Sequence, residues 1–236
     1  MQDNLPKVVL IDDYPLFRKA MSDVLTASGE FQVIGQTSDP KIVQTLALLN
    51  PQLVVMAMDV EAYNPVELLT YLKSVNADMK VVMIVNDPND SDKLLKPLRQ
   101  EVNGYLLRTM EASEFIEQLN RTLMGGFAVV DKITSVLARM LGDKNTAHSD
   151  QRSTHLLTSR EKQVLSCIAM GMSNKEISDS LQIRDGTVKV HVKHVLKKLN
   201  FRSRVEVAVW ASENGYKNKL DLNDLKRGSS GRSDIY

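Results

Sequence analysis

The chain has 236 residues, 43% hydrophobic and 25% charged, with a formal net charge of +1, which is ordinary globular material, long enough for two modest cores. The N-terminal apolar run, 8–11, is too short for a membrane span or a signal peptide, so the expected compartment is the cytoplasm. A single cysteine, Cys167, excludes an internal disulfide and a cysteine-based metal cluster.

From Lys7 onward, short β-branched runs at 8–11, 33–35, 53–58, 81–85 and 104–107 alternate with helical patterns at 15–28, 39–49, 65–75, 91–100 and 111–124. Strands that alternate with helices predict a parallel sheet covered on both faces, a doubly wound α/β domain over 1–127. The functional crevice of such a domain lies beyond the carboxyl ends of its strands, and the first strand ends in adjacent carboxylates, Asp12 and Asp13. The pair suits a hard oxygen-liganded ion such as Mg²⁺, or it merely caps the following helix.

Residues 128–154 read as a connecting helix and a linker. Ile133, Val136, Leu137, Met140 and Leu141 recur at helical spacing, whereas 142–155 holds no aliphatic side chain larger than alanine and so reads as a tether. The last segment, 218–236, is a polar tail expected to be disordered.

Between them, 155–217 shows apolar residues at helical spacing in four short blocks, an all-α unit. Thr158 with Glu161 forms a capping box for a helix through Met170, stopped by Gly171, and Cys167 lies on its apolar side as a core residue. Asn174 is expected to cap a second helix, through Leu181, and Asp185 a third, in which Val188, Val192, Val195 and Leu199 face inward. A short helix, a tight turn and a basic helix make a helix-turn-helix. Lys189, Lys193 and Lys197 recur every fourth residue and form one positive ridge suited to phosphates, or simply a solvated lysine face. Charge partition favours the first: 155–217 carries 11 Lys+Arg against 6 Asp+Glu, a balance of +5, while 1–130 carries 11 against 17, a balance of −6. His191 and His194, at i and i+3 among lysines, read as surface or phosphate-contacting side chains rather than metal ligands.

The run TSREKQVLSCIAMGMSNKEIS, with TVKVHVKHVLKKL and SRVEVAVW after it, resembles the DNA-binding domain of the NarL/FixJ (LuxR-type) transcription regulators, most nearly the nitrate/nitrite regulators. The resemblance implies that Lys189, Val190 and Lys193 contact the major groove, that Asn174, Lys175, Thr187 and Lys197 are further DNA-facing candidates, and that the last helix forms a homodimer contact through Val205, Val209 and Trp210.

LIDDYPLFRKAM at the first strand and GYLL at the fifth resemble a response-regulator receiver domain of flavodoxin-like fold. Receivers take a phosphoryl group on an aspartate ending the third strand, bind Mg²⁺ beside it, and use a Ser/Thr and a Lys ending strands four and five. The matching positions here are Ala57 for the acceptor, Ile84 for the hydroxyl and Arg108 for the lysine, with Asp59 two residues beyond the acceptor. An alanine accepts no phosphoryl group, and a guanidinium fork is not equivalent to an ammonium in a tight anion site. Two carboxylates about 4 Å apart repel by roughly 4 kcal/mol at an effective dielectric of 20. Arg108 is therefore expected to bridge Asp12 or Asp13 in place of metal and phosphate, with no cofactor; Asp12 and Asp13 are metal ligands only if Mg²⁺ is retained.

The sequence contains no internal repeat, catalytic triad or Gly-rich phosphate loop. The leading expectation is a non-enzymatic, sequence-specific regulator that binds double-stranded DNA as a homodimer without aspartyl phosphorylation. The alternatives are a receiver-mediated interaction protein controlled by a small ligand or a partner, such as a sensor kinase, and phosphorylation at a substitute acceptor, Asp13 or Asp59.

Overall fold

A computed structural model describes residues 5–87, 91–98, 100, 102–129, 133, 136–137 and 154–216. The chain divides into two units, Met1–Met140 and Leu141–Tyr236. The expected tether at 142–155, apart from its last two residues, lies outside the described residues, as does the expected tail at 218–236.

The first unit follows the order β1 (Lys7–Ile11), α1 (Pro15–Ser28), β2 (Gln32–Thr37), α2 (Pro40–Ala47), β3 (Leu53–Ala57), α3 (Pro65–Val75), β4 (Lys80–Val85), α4 (Ser91–Leu98), β5 (Gly104–Leu107), α5 (Ala112–Leu123) and β6 (Ala128–Val129). The strands form one parallel sheet in the order β2-β1-β3-β4-β5-β6. Every residue of β3 is buried, as expected of a strand with helices on both sides. Val8, Leu10, Leu53, Val55, Val82, Ile84 and Leu106 pack with Met21 and Leu25 of α1 and Phe115 and Leu119 of α5 into one core. The alternate residues Val9, Val54, Met56, Val81 and Met83 are buried as well, and α2, α3 and α4 touch one another in succession.

Helix starts follow local chemistry. Pro15, Pro40 and Pro65 occupy the first turns of α1, α2 and α3, where a missing N–H costs nothing. Asp39 accepts from Lys41 N, and Asn64 accepts from Val66 N and Glu67 N. The expected edge of the unit at 127 is too early, because β6 pairs with β5 and Ile133, Val136 and Leu137 are helical and buried.

The second unit holds a 3₁₀ turn (Thr154–Leu156), then α6 (Ser159–Ala169), α7 (Asn174–Leu181), α8 (Asp185–Lys198) and α9 (Arg204–Glu213). The Thr158–Glu161 capping box is present, and Gly171, at φ 77°, closes α6 with its N–H on Ile168 O. Two caps differ from expectation. Ser173, not Asn174, caps α7, because Glu176 three residues on completes a capping box with it. Arg184 stands at the N-cap of α8 and Asp185 inside its first turn. Gln182, at φ 52°, ends α7 in the left-handed region, which keeps the turn into α8 short. Val188, Val195 and Leu199 are buried and Val192 half-buried, so α8 keeps one apolar stripe against α6 and α7.

Gly104 sits in β5 opposite Ala128, where a Cβ would fall 2.4 Å from the Ala128 backbone oxygen. Gly186, in the first turn of α8, has open space around the same position. Urea unfolding is expected to show Gly104→Ala less stable by about 1–3 kcal/mol and Gly186→Ala unchanged or up to about 1 kcal/mol more stable.

Candidate nucleic-acid interface and the pocket at the strand ends

The solvent face of α8 carries Thr187, Lys189, Val190, Lys193 and Lys197, all exposed. Val190 leaves 51% of its surface open among lysines, an apolar contact of the kind that meets a thymine methyl. The helix N-terminus is the end that reaches base edges in a helix-turn-helix, while cations further along follow phosphates.

Three ionic side chains at the helix junctions hold this face in place. Glu161, in the first turn of α6, is buried; it accepts from Thr158 N at 2.8 Å and from Lys198 Nζ at 3.0 and 2.7 Å. His194 Nδ1 lies 3.6 Å from the same carboxylate. Burial alone would raise the Glu161 pKa, but the hydrogen bonds from Lys198 and Thr158 outweigh it and hold the carboxyl below its ordinary value. Arg160 donates to Leu181 O at 2.5 Å and Gln163 Oε1 at 2.8 Å, securing the end of α7. Arg204, at the start of α9, donates to Met172 O and Asn174 Oδ1, each at 2.5 Å, securing its beginning. Burial pushes the Arg204 guanidinium down to about 10, still charged near neutrality, and pushes the Cys167 thiol up to about 11, leaving it unreactive.

These contacts sort the expected site residues. Lys175 is exposed, but Asn174 is buried with its amide oxygen committed to Arg204, so it supports the helix start rather than facing DNA. Val205 and Val209 are buried and offer no surface to a second copy; Trp210 is half-buried, its ring tilted against Phe201 and Tyr216 with centres 5.6 and 5.8 Å apart. Lys198, Arg160 and Arg204 carry no sequence signal of their anchoring role, because the anchors Glu161, Leu181 O, and Asn174 with Met172 O lie 37, 21 and 30–32 residues away.

In the first unit, Asp12, Met58 and Arg108 follow directly on β1, β3 and β5, and their N–H groups bond to Thr37 O, Ile84 O and Val85 O. This brings Arg108 onto Asp12 through two bonds, Nη2 to Oδ2 at 2.8 Å and Nη1 to Oδ1 at 3.3 Å. The Asp12 side chain is 0% exposed and that of Arg108 18%. Arg108 Nε donates to Asn86 Oδ1 at 2.6 Å, and its guanidinium lies 4.6 Å from the Tyr14 ring centre and 4.3 Å from that of Phe17. Tyr14 N donates to Asp12 Oδ1 at 2.8 Å, and Glu61 N to Asp13 Oδ2 at 3.0 Å.

Ala57 is buried, and its carbonyl is 3.5 Å from the Tyr63 hydroxyl. That hydroxyl is held protonated far above its usual range, by burial first and by Asp13 and Asp12 second. Ile84 lies one residue short of the end of β4; its side chain packs in the core and lines a small apolar cavity of about 110 Å³ with Phe17, Leu107 and Arg108. The strand-end position is Val85, which also lacks a hydroxyl. Arg108 engages both oxygens of Asp12, so a Mg²⁺ ion at the strand ends would have to compete with a guanidinium for that carboxylate. A cleft of about 900 Å³ opens beside Asp13, Asp59, Glu61, Tyr63 and Lys96.

Residues 8–120 match the response regulator receiver domain, and residues 155–211 match the bacterial regulatory proteins of the luxR family. The nitrate/nitrite response regulator protein NarL of Escherichia coli (strain K12) is 31% identical over 207 residues, 87% of this chain and 94% of that protein. The chain belongs to the LuxR-type response regulators. The nitrate/nitrite response regulator homologue of Haemophilus influenzae is 31% identical over 89% of this chain and 97% of its own. In fold, this LuxR-type regulator is similar to RcsB of Salmonella typhimurium, at 18% identity and a TM-score of 0.52 over 89% of this chain and 99% of that one. A structure of two RcsB dimers bound to two parallel DNAs gives 17% and 0.53 over 89% and 98%. The chain is thus a DNA-binding transcription regulator rather than an enzyme, and no helix among its described residues is long and apolar enough to cross a membrane.

Two outcomes follow from the buried ionic groups. Arg108→Ala strands a buried carboxylate and is expected to cost about 3 kcal/mol, the lower end for a broken buried pair because water gains entry; adding Asp12→Asn should recover part of it, read as the coupling in a double-mutant cycle of urea unfolding. For Glu161, whose folded pKa is depressed, the stabilising contribution is present above the ordinary carboxylate pKa and is lost as pH falls through the lower folded value. Thermal unfolding across acid pH should show that loss, and Glu161→Gln should flatten it.

Proposed function

We propose that this LuxR-type regulator binds specific sequences in double-stranded DNA through α8, as a homodimer on two half-sites, and does so without aspartyl phosphorylation. The observation that carries the second part is the two-bond Arg108–Asp12 pair beside an alanine at the acceptor position. A guanidinium occupies the carboxylate that Mg²⁺ would share, and Ala57 offers no side-chain oxygen to a phosphoryl donor. The DNA reading rests on Lys189, Val190, Lys193 and Lys197, exposed on one helix whose other side is held by Glu161 and Lys198. The working compartment is the cytoplasm, where DNA is available.

The open cleft of about 900 Å³ beside Asp13 and Asp59 favours a second reading of control: a small ligand or a partner protein, a sensor kinase among them, sets the state of the first unit. Phosphorylation at Asp13 or Asp59 is the competing chemistry. Full-length protein is expected to bind a duplex selected from random DNA equally well before and after treatment with a small phosphodonor, with no acyl phosphate formed. Replacing both Lys189 and Lys193 by alanine should weaken binding by about 1–3 kcal/mol for each guanine no longer read, and should reduce the salt slope. Acyl phosphate on Asp13 or Asp59 with tighter binding would overturn phosphorylation independence, and an unchanged double variant would remove α8 from the interface.

A further inference from the structure

The stripe of α8 that carries Lys189 and Lys193 begins with an acid. Asp185, Lys189 and Lys193 stand four residues apart, so they share one face of the helix. Asp185 Oδ2 lies 3.1 Å from Lys189 Nζ, with the two side chains 48% and 67% exposed. An exposed pair of this kind adds little to stability. The helix dipole accounts for an acid in the first turn, but not for its alignment with the lysines. Thr187, two residues before Lys189, falls on another face, and an acid there would have served the dipole equally without touching Lys189.

We propose that Asp185 is a specificity-determining residue, a charge lock that neutralises Lys189 until a base edge competes for the lysine. The inference rests on the reading of α8 as the groove-entering helix. On arbitrary DNA the partners within reach of the helix N-terminus are phosphates, which attract Lys189 and repel Asp185, so the pair together contributes almost no net attraction. At a site that presents a guanine, O6 and N7 on the groove floor accept from Lys189 without the full negative charge by which a phosphate repels Asp185. Asp185 therefore weakens binding to the wrong sequences more than to the right one.

The test compares full-length wild type with Asp185→Asn on two duplexes, one selected by the wild type from random DNA and one of scrambled sequence, across a salt series. Both substituted and native side chains are exposed, so folding is not at risk, and circular dichroism checks it. Asp185→Asn is expected to bind the scrambled duplex roughly five- to tenfold more tightly at about 0.1 M salt, with a salt slope steeper by about 0.9, equivalent to one phosphate contact. The selected duplex should change less, so the ratio of affinities falls. In a Lys189→Ala background most of the effect of Asp185→Asn should vanish, because the lock has nothing left to hold. Equal tightening on both duplexes, no change on either, or a loss confined to the selected duplex would overturn the lock; the last would make Asp185 a direct acceptor from a base. A wild type that enriches no sequence from random DNA, or whose selected duplex is bound unchanged by a Lys189→Ala, Lys193→Ala double variant, would instead sink the reading of α8 on which the inference stands.

Discussion

A carboxylate with no exposed surface at the end of β1 sets the terms for the first unit. An isolated buried charge costs several kcal/mol, and Asp12 meets that cost with Arg108 on both oxygens and Tyr14 N on one. The guanidinium in turn needs its own enclosure, given by Asn86, the Tyr14 and Phe17 rings, and the apolar wall of Ile84 and Leu107. Most of these stand at a strand end or in the turn beyond it, so the parallel order of the sheet is what brings them together. A lysine in place of Arg108 has no fork to span two carboxylate oxygens and Asn86 at once.

The second unit repeats the device for a different end. Glu161 closes the start of α6 and anchors the end of α8 through Lys198, and Arg160 and Arg204 fasten the two ends of α7 by backbone carbonyls and an amide. The positive side chains therefore divide into two populations. Lys189, Lys193 and Lys197 are exposed, Lys189 paired with the exposed Asp185, whereas Lys198, Arg160 and Arg204 hold the geometry. A count of basic residues along the sequence does not separate them.

What can be read from the sequence follows from how local each signal is. The fully apolar strands, the prolines that open α1 to α3 and the Thr158 capping box all act within a few residues, and each is legible. The α7 cap is legible too, since Ser173 and Glu176 have the same spacing as Thr158 and Glu161; Asn174 competes only because it is also a good cap by composition. The two-residue β6 carries too little pattern to be seen. The end of the fourth strand at Val85 is legible from the run VVMIV, whereas the placement of Ile84 in the core depends on which face of the sheet it takes, for which a run without polar residues gives no mark. The contacts of Glu161, Arg160 and Arg204 depend on tertiary packing, for which a single sequence offers no spacing rule.

The Arg108–Asp12 pair also bears on time. An acyl phosphate hydrolyses, so a regulator that carries one returns to rest by its own chemistry and has a built-in duration. A guanidinium held by two bonds to a buried carboxylate does not decay. Under the proposed reading this chain has no internal clock, and its effect at a promoter ends when a ligand or partner at the first unit changes, or when the protein is diluted, degraded or drawn away.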